Sequence, residues 1–193
     1  MVSNSENCTP SLCPPSTALG SIIPFASGTA PLVGTKPCGS SANASILSYG
    51  NATCSIALGC DDTINLTSNN MQYAFSVPKT CMLDAIYTTV GNWGSFCAPT
   101  CTKVTPYVVV FRAVAGHNIF YPIWESKTKS TEGFSGMVPA NSMLSACSYP
   151  NIKVNAGERL LIAGLCETEG TCKLAQTYYF YFTGGLSFIQ LMK

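Results

Sequence analysis

The stretch MQYAFSVPKTCMLDAIYTTV, residues 71–90, decides the fold that we predict from the sequence. Apolar and polar side chains alternate over residues 71–77, and this period of two is typical of a half-buried β-strand. Pro78 ends the strand, because proline has no N–H to donate to a neighbouring strand. Residues 82–90 are again rich in β-branched and aromatic residues. We therefore predict two consecutive strands at the centre of a β-rich domain, with Cys81 at their junction.

Further strand-like runs, separated by turn residues such as Gly184-Gly185, occur along most of the chain. They show no apolar stripe with the 3.6-residue period of a helix. Many short strands at this spacing favour an antiparallel sandwich or barrel. We predict an all-β jelly roll, which fits two sheets and long connections into one domain. The additional predicted strands are 45–49, 54–58, 63–66, 104–115, 119–125, 142–147, 152–154, 159–166, 176–183 and 186–192.

The composition is poor in charge. Of the 193 residues, 47% are hydrophobic and only 10% are charged, and the net charge is +1. The chain is long enough for one good core, and its surface must consist largely of uncharged polar and apolar groups. Such a surface favours a protein that packs against copies of itself. The basic residues form no stripe, so we expect no nucleic-acid partner.

The first 43 residues differ from the rest because they hold six of the twelve prolines, at positions 10, 14, 15, 24, 31 and 37. Proline-rich chain is extended and is excluded from helix interiors and central strands. We predict an extended N-terminal arm over residues 1–43, with one short strand at 22–26, and a jelly-roll domain over residues 44–193. The arm packs on its own domain, reaches a neighbouring copy or is a disordered tail, and the sequence leaves these alternatives open.

No segment indicates a membrane or a secretion pathway. No run approaches the about 20 uninterrupted apolar residues of a membrane helix. Residues 1–15 have neither the basic start nor the apolar run of a signal peptide, so we expect synthesis in a cytosol. The eleven cysteines would instead suit an oxidising compartment. Either the thiols stay reduced and hold metal, or they are oxidised after the producing cell lyses.

Cysteine spacing favours disulfides over zinc. Structural zinc sites usually need repeated Cys-x-x-Cys pairs, and none occurs, although a zinc site remains an open alternative. Short gaps across predicted turns would bring Cβ atoms within disulfide reach. We predict three intrachain bridges on this basis: Cys54–Cys60, Cys97–Cys101 and Cys166–Cys172.

The remaining cysteines are candidates for bonds between subunits. An odd number of cysteines leaves at least one without a partner in its own chain. The cysteines of the arm are the foremost candidates, because the arm can reach a neighbour. The full set of predicted intersubunit cysteines is Cys8, Cys13, Cys38, Cys81 and Cys147.

The sequence offers little catalytic chemistry. His117 is the single histidine, and it lies in a predicted hairpin turn. Asp61-Asp62 precedes a predicted strand and is most simply a turn. No phosphate loop, nucleophile elbow or zinc-protease motif occurs. We therefore expect no enzyme, no catalytic or metal-binding residues and no cofactor. Trp93 and Trp124 are expected to pack in the core, with stacking on a sugar as the alternative.

Three segments resemble a known family. They are IPFASGT at residues 23–29, YAFSVPK at 73–79 and AGERLLI at 156–162. In this order and spacing they are similar to the C-terminal domain of BclB-related exosporium glycoproteins of spore-forming bacteria. The resemblance covers about residues 22–192. It implies a jelly roll of the tumour-necrosis-factor (TNF) or C1q type on a spore surface, where relatives commonly form trimers.

The chain departs from that family in two ways. It has no collagen-like stalk before the domain, and it is far richer in cysteine. These departures favour a building block of a crosslinked lattice or fibre. We expect a structural self-assembling protein, made in the mother-cell cytosol without a signal peptide and placed in the exosporium or a spore appendage. Its partners would be copies of itself and other spore-coat or exosporium proteins. The alternative is a trimeric binding module that recognises a host surface or a glycan.

Overall fold

The computed structural model describes residues 20–53 and 55–191. The regular structure of these residues is almost all β-strand, with single-turn 3-10 helices at Cys60–Asp62, Met71–Tyr73 and Trp124–Ser126. None of the helices in the described ranges could cross a membrane. The strands are β1 (Gly20–Ala26), β2 (Leu32–Gly34), β3 (Asn43–Leu47), β4 (Ile56–Ala57), β5 (Ile64–Asn65), β6 (Phe75–Ser76), β7 (Cys81–Asn92), β8 (Phe96–Cys97), β9 (Thr102–Ala113), β10 (Ile119–Pro122), β11 (Thr128–Lys129), β12 (Met137–Val138), β13 (Met143–Ser148), β14 (Ile152–Val154), β15 (Arg159–Gly170) and β16 (Thr177–Gln190).

The first sheet has the strand order β1-β16-β7-β13, and in addition β2 pairs with β16 and β14 pairs with β7. All its pairs are antiparallel. In β7, Ile86, Thr88 and Val90 are buried, whereas Tyr87 between them is exposed. This alternation is the period of two that predicts a strand at 82–90. The prediction is confirmed, and the strand lies inside its sheet as expected.

The second sheet has the order β4-β3-β15-β9-β10-β5, with β6 and β11 attached. Its centre is the β9–β15 pair, which runs from Ala113 opposite Arg159 to Thr102 opposite Gly170. The two sheets face each other, and strands that are neighbours in a sheet are often distant in sequence. This antiparallel arrangement is the predicted jelly roll.

Two apolar clusters explain why the second sheet has long uninterrupted hydrophobic runs. The larger cluster lies between the sheets and includes Val108 and Val110. The smaller lies on the opposite face, where Val109 and Phe111 contact residues of the 56–74 segment. Because that segment covers the outer face, β9 is buried on both sides and carries no polar alternation.

The predicted strand at 71–77 is wrong for most of its length. Met71–Tyr73 is a 3-10 turn, and only Phe75–Ser76 is a strand, at the side of the second sheet against β15. The reason is local, because Asn69-Asn70 favours a turn, and the N–H of Tyr73 donates to the carbonyl of Asn70. The alternation of 71–77 therefore reflects a segment that crosses the edge of the sandwich.

The predicted turn at Gly184-Gly185 is also wrong, because β16 runs without interruption from Thr177 to Gln190. A Cβ atom at Gly184 would lie 2.1 Å from the carbonyl oxygen of Tyr87 and 2.6 Å from Cζ of Phe25. This glycine allows close packing inside a strand, and it does not reverse the chain.

Residues 20–43 are part of the jelly roll and do not form an arm extending from it. β1 pairs along β16 from Gly20 opposite Ile189 to Ala26 opposite Thr183. The side chains of Phe25 and Val33 lie in the larger core cluster. Residues 1–19 of the predicted arm lie outside the described residues.

Candidate assembly surface

Where β1, β16, β7 and β13 lie side by side, the outward face of the first sheet is largely uncharged, and the charged residues of this sheet, Asp84 on β7 and Lys153 on β14, lie towards one end of it. Side chains that alternate with core residues on β1, β16, β7 and β13 point to the same outer side. Among them, Ile22 is 74% exposed and Met143 is 70% exposed. We call this surface the uncharged face, and it comprises Ile22, Pro24, Ala85, Tyr87, Thr89, Gly91, Met143, Ser145, Cys147, Tyr179, Tyr181, Thr183, Gly185 and Ser187.

Strand register assembles this face in rows. Gly185 lies between Pro24 and Tyr87, and Cys147 lies on the other side of Tyr87. In another row Thr89 is opposite Ser145, and their hydroxyl oxygens are 3.0 Å apart. The face is thus a continuous surface of aromatic, small and hydroxyl side chains across four strands. A signal for it exists in the sequence, because residues 174–192 contain no charged side chain.

Charged side chains collect instead beside the second sheet. The Nζ atom of Lys127 lies 2.6 Å from a carboxylate oxygen of Glu167. The Nζ atom of Lys129 lies 2.7 Å from the other carboxylate oxygen of Glu167 and 2.8 Å from one of Glu169. The hydrogen bond from Lys129 lowers the pKa of Glu169. The ammonium of Lys127 also lies 4.2 Å from the ring centre of Tyr107. The two surfaces therefore differ sharply in charge.

The disulfide in the structure contradicts two of the three predicted intrachain bridges. Cys101 and Cys172 are bonded to each other, with their Cα atoms 5.7 Å apart. The β9–β15 ladder brings them together, because it continues to Thr102 opposite Gly170. The predicted bridges Cys97–Cys101 and Cys166–Cys172 are therefore wrong.

Cys166 is unsuited to the predicted bridge because β15 does not end there. Four further residues of extended strand span about 13 Å, beyond the Cα separation of about 7 Å that a disulfide tolerates. Cys166 is a buried free thiol. Cys97 and Cys60 are exposed free thiols, and Cys54 lies outside the described residues.

The predicted intersubunit cysteines divide into three groups. Cys38 and Cys147 are exposed free thiols, and Cys147 belongs to the uncharged face. Cys81 is a half-buried free thiol at the start of β7, and burial raises its pKa. Cys8 and Cys13 lie outside the described residues.

Cys38 is the most activated of the described thiols. Its sulfur lies 3.1 Å from the hydroxyl oxygen of Ser40, and a hydrogen bond from Ser40 to the thiolate lowers the pKa of Cys38. Burial raises the pKa of Cys166 well above its usual value. A thiol reacts as its thiolate, so these two environments predict opposite reactivity.

We expect iodoacetamide to alkylate Cys38 in the folded protein and to leave Cys166 unmodified. The substitution Ser40→Ala should shift the alkylation–pH profile of Cys38 to higher pH, because the bond that stabilises its thiolate is lost. Peptide mass spectrometry after timed labelling measures both results. The profile of Cys147 in the same variant is the control, and an unchanged Cys38 profile would contradict the role of Ser40.

Both tryptophans are exposed, so the prediction that they pack in the core is wrong. Trp93 is 61% exposed and Trp124 is 44% exposed. The ring of Trp93 lies 5.4 Å from that of Tyr181, and the two rings border a cleft of about 360 Å³ beside residues 28–30. This aromatic cleft adjoins the uncharged face.

The residues considered for catalysis lie apart. His117 is exposed in a turn after β9, as predicted, and its backbone carbonyl accepts a hydrogen bond from Arg159. Asp61 and Asp62 occupy a turn that leads into β5. Within residues 20–53 and 55–191, no group of three His, Cys, Asp or Glu side chains is placed to hold a metal ion.

Comparison with known proteins gives a distant structural similarity and no family. No family model and no curated protein matches the sequence. The chain is similar to the solved structure of Eiger TNF from S. frugiperda, with a TM-score of 0.40 and 13% identity, over 90% of this chain and 96% of that one. By its own strand order and pairing, the chain is an antiparallel all-β jelly roll.

Proposed function

We propose that this chain is a structural protein of the bacterial spore surface, in the exosporium or a spore appendage, whose copies assemble with one another. The uncharged face carries the proposal. In the assembly, copies meet through this face, disulfides lock them together, and the N-terminal arm links neighbours. Other spore-coat or exosporium proteins are further partners.

The same face of a second copy is a suitable partner for the uncharged face. Two such faces bury apolar area without bringing like charges together, and they leave no ion unpaired. A charged partner would lose hydration here without gaining a counter-charge. The lysine and glutamate cluster beside the second sheet would stay in water.

The size of the face explains why covalent locks would matter. Its four strands lie about 4.8 Å apart and eight residues of β16 span about 27 Å, so it covers roughly 500 Å². A standard stable interface buries about 800 Å² on each partner. Contact through the face alone would thus be modest, and exposed thiols such as Cys147 and Cys38 could add bonds between copies once the producing cell lyses and molecular oxygen is present.

The spore-surface location rests on the resemblance to exosporium glycoproteins. Two of the three resembling segments contact each other, because the N–H of Val77 donates to the carbonyl of Glu158, and Gly157 donates to Val77. These segments build a corner of the fold. The location therefore rests on the sequence resemblance alone, while the surface and the thiols carry the assembly role.

The experiment is negative-stain electron microscopy of the purified protein with and without a strong reductant. We expect ordered sheets or fibres that the reductant weakens. The variant Thr183→Lys places a charge in the middle of the uncharged face and should weaken association at least about tenfold, since about 1.4 kcal/mol is a factor of ten and a buried unpaired charge costs more. Light scattering over a concentration series measures this loss.

Thr131→Lys is the matched control, because it adds the same charge on an exposed loop away from the face. It should assemble like the unaltered protein. Small uniform particles under every condition, or equal assembly of both lysine variants, would count against assembly through this face.

A second candidate function is a trimeric binding module that recognises a glycan or a host surface. The exposed Trp93 beside Tyr181, at the mouth of the aromatic cleft, favours it, because sugar rings stack on exposed aromatic faces. A discrete trimer that neither reductant nor Thr183→Lys alters would favour this function over lattice assembly.

A further inference from the structure

An apolar groove opens at the end of the sandwich where β1 begins. It has a volume of about 490 Å³, and it lies between the ends of β1 and β16 and the segment from β6 to the start of β7. Phe188 and Val77 are buried at its floor, and Phe75 and Ile23 line its walls. Lys79 is the single charged residue among the described residues that line it.

The first described residue, Gly20, lies on the rim of this groove. Nineteen residues precede it, and Glu6 is their only charged side chain. They include the run Leu12-Cys13-Pro14-Pro15. Proline-rich segments bind grooves lined by aromatic side chains, because little conformational entropy is lost when an already extended chain docks. Every copy therefore carries, directly before Gly20 in the sequence, a segment whose chemistry matches the groove.

We propose that residues 8–15 of one copy bind in this groove of a neighbouring copy, and that Cys13 forms a disulfide there with Cys81. The inference rests on the proposed self-assembly and specifies the site through which the arm links neighbours.

A neighbour is favoured over the same chain because of the residues between the segment and the groove. Gly20 is already paired with Ile189, so residues 16–19 alone would have to reverse the chain. Of the residues that favour tight turns they contain only Ser16, with no Gly, Asn, Asp or Pro. Pro14-Pro15 precedes them, and proline pairs favour an extended chain. Exchange of a terminal segment between copies makes the same contacts without this reversal.

Cys81 is the thiol that such a segment would meet. It lines the groove, packs against the core cluster and is unbonded. Cys13 lies between Leu12 and Pro14 and would enter the groove with apolar neighbours, whereas Cys8 lies between Asn7 and Thr9.

The bond requires a two-electron oxidant, which a small-molecule disulfide such as oxidised glutathione supplies. The Cys13 thiolate attacks one glutathione sulfur and releases one glutathione thiolate. The Cys81 thiolate then attacks the Cys13 sulfur of the mixed disulfide and releases the second. One protein disulfide and two glutathione thiols result, and the two protons of the cysteine thiols are taken up by the departing thiolates.

The test uses full-length protein in two isotopic forms. Equal amounts of ¹⁵N-labelled and unlabelled protein are mixed under reductant and then oxidised together with oxidised glutathione. Digestion with trypsin and an Asp-specific protease isolates residues 80–83, in which Cys81 is the single cysteine. Cys13 lies on a peptide of residues 1–60 with four other cysteines, so fragmentation mass spectrometry identifies the cysteine bonded to Cys81, and the peptide masses give the isotope of each chain.

We expect about half of the peptide pairs that contain Cys81 to join a heavy peptide to a light one, as random pairing between copies requires. The pair should persist in Cys8→Ser and in the surface control Cys147→Ser, and it should disappear in Cys13→Ser. Pairs of a single isotope only would show a bond within one chain and overturn the link between neighbours. A free Cys81, or a partner other than Cys13, would overturn the docking site.

Electron microscopy of the same samples separates the two proposals. Ordered arrays without a Cys13–Cys81 bond would overturn the groove inference and leave the proposed assembly standing. Heavy–light Cys13–Cys81 pairs in particles no larger than a few copies would support the groove and contradict the larger assembly.

Discussion

Replacing Gly184 by alanine is expected to lower the free energy of unfolding by about 3 kcal/mol, the upper part of the usual range for overpacking. The added Cβ would lie 2.1 Å from the carbonyl oxygen of Tyr87, so backbone atoms would have to move. Phe25, whose ring packs beside the glycine, would also be displaced from the core. Denaturant unfolding of reduced, non-assembled protein measures the loss through the transition midpoint.

Gly185→Ala is the matched control at the next position. Its Cβ would be 3.5 Å from Cγ2 of Ile22, which is ordinary contact, so we expect a change within about 0.5 kcal/mol. Equal effects at the two glycines would contradict the packing role of Gly184. A large loss at Gly185 would also contradict it, because alanine is no less favourable than glycine within a strand and the added Cβ is not crowded there.

Removing the Cys101–Cys172 disulfide with the double substitution Cys101→Ser and Cys172→Ser is expected to lower the free energy of unfolding by about 4 kcal/mol. The bond joins residues 71 positions apart. A crosslink that closes a loop of this length strongly restricts the unfolded chain, by about 4 kcal/mol in the chain-entropy description. Denaturant unfolding under non-reducing conditions gives the difference.

Cys97→Ser is the control, because Cys97 is an exposed free thiol four residues before Cys101. It should leave the midpoint nearly unchanged. In reductant, the unaltered protein and the double variant should unfold at the same denaturant concentration. A double variant as stable as Cys97→Ser under oxidising conditions would contradict the bond.

Strands with a clear side-chain period could be predicted from the sequence. The prediction at 152–154 coincides with β14, and those at 82–90, 104–115 and 159–166 overlap β7, β9 and β15. Alternation and β-branched residues are local properties, so they are readable without the fold. The prediction of a strand at 71–77 failed because an alternation of only seven residues also suits a segment that crosses the edge of a sheet.

The candidate surface could be predicted only in part. The uncharged stretch at 174–192 is visible in the sequence, and so is the low charge of the whole chain. Which of its side chains face outward depends on the pairing of β16 with β1 and β7. The exposure of Trp93 likewise depends on the sheet, since an aromatic residue in a loop after a strand suits the core equally well.

The sequence by itself determined that the chain is all-β and that its surface carries few charges. Side-chain periodicity and composition can be read without knowing which residues meet in the fold. Only the tertiary structure decided which cysteines meet. Cys101 and Cys172 are bonded because twelve consecutive residue pairs of β9 and β15 align their ends, and no short-range spacing encodes that register. The tertiary structure likewise decided that Gly184 lies within a strand, because the need for glycine there comes from Tyr87 and Phe25, which are distant in sequence.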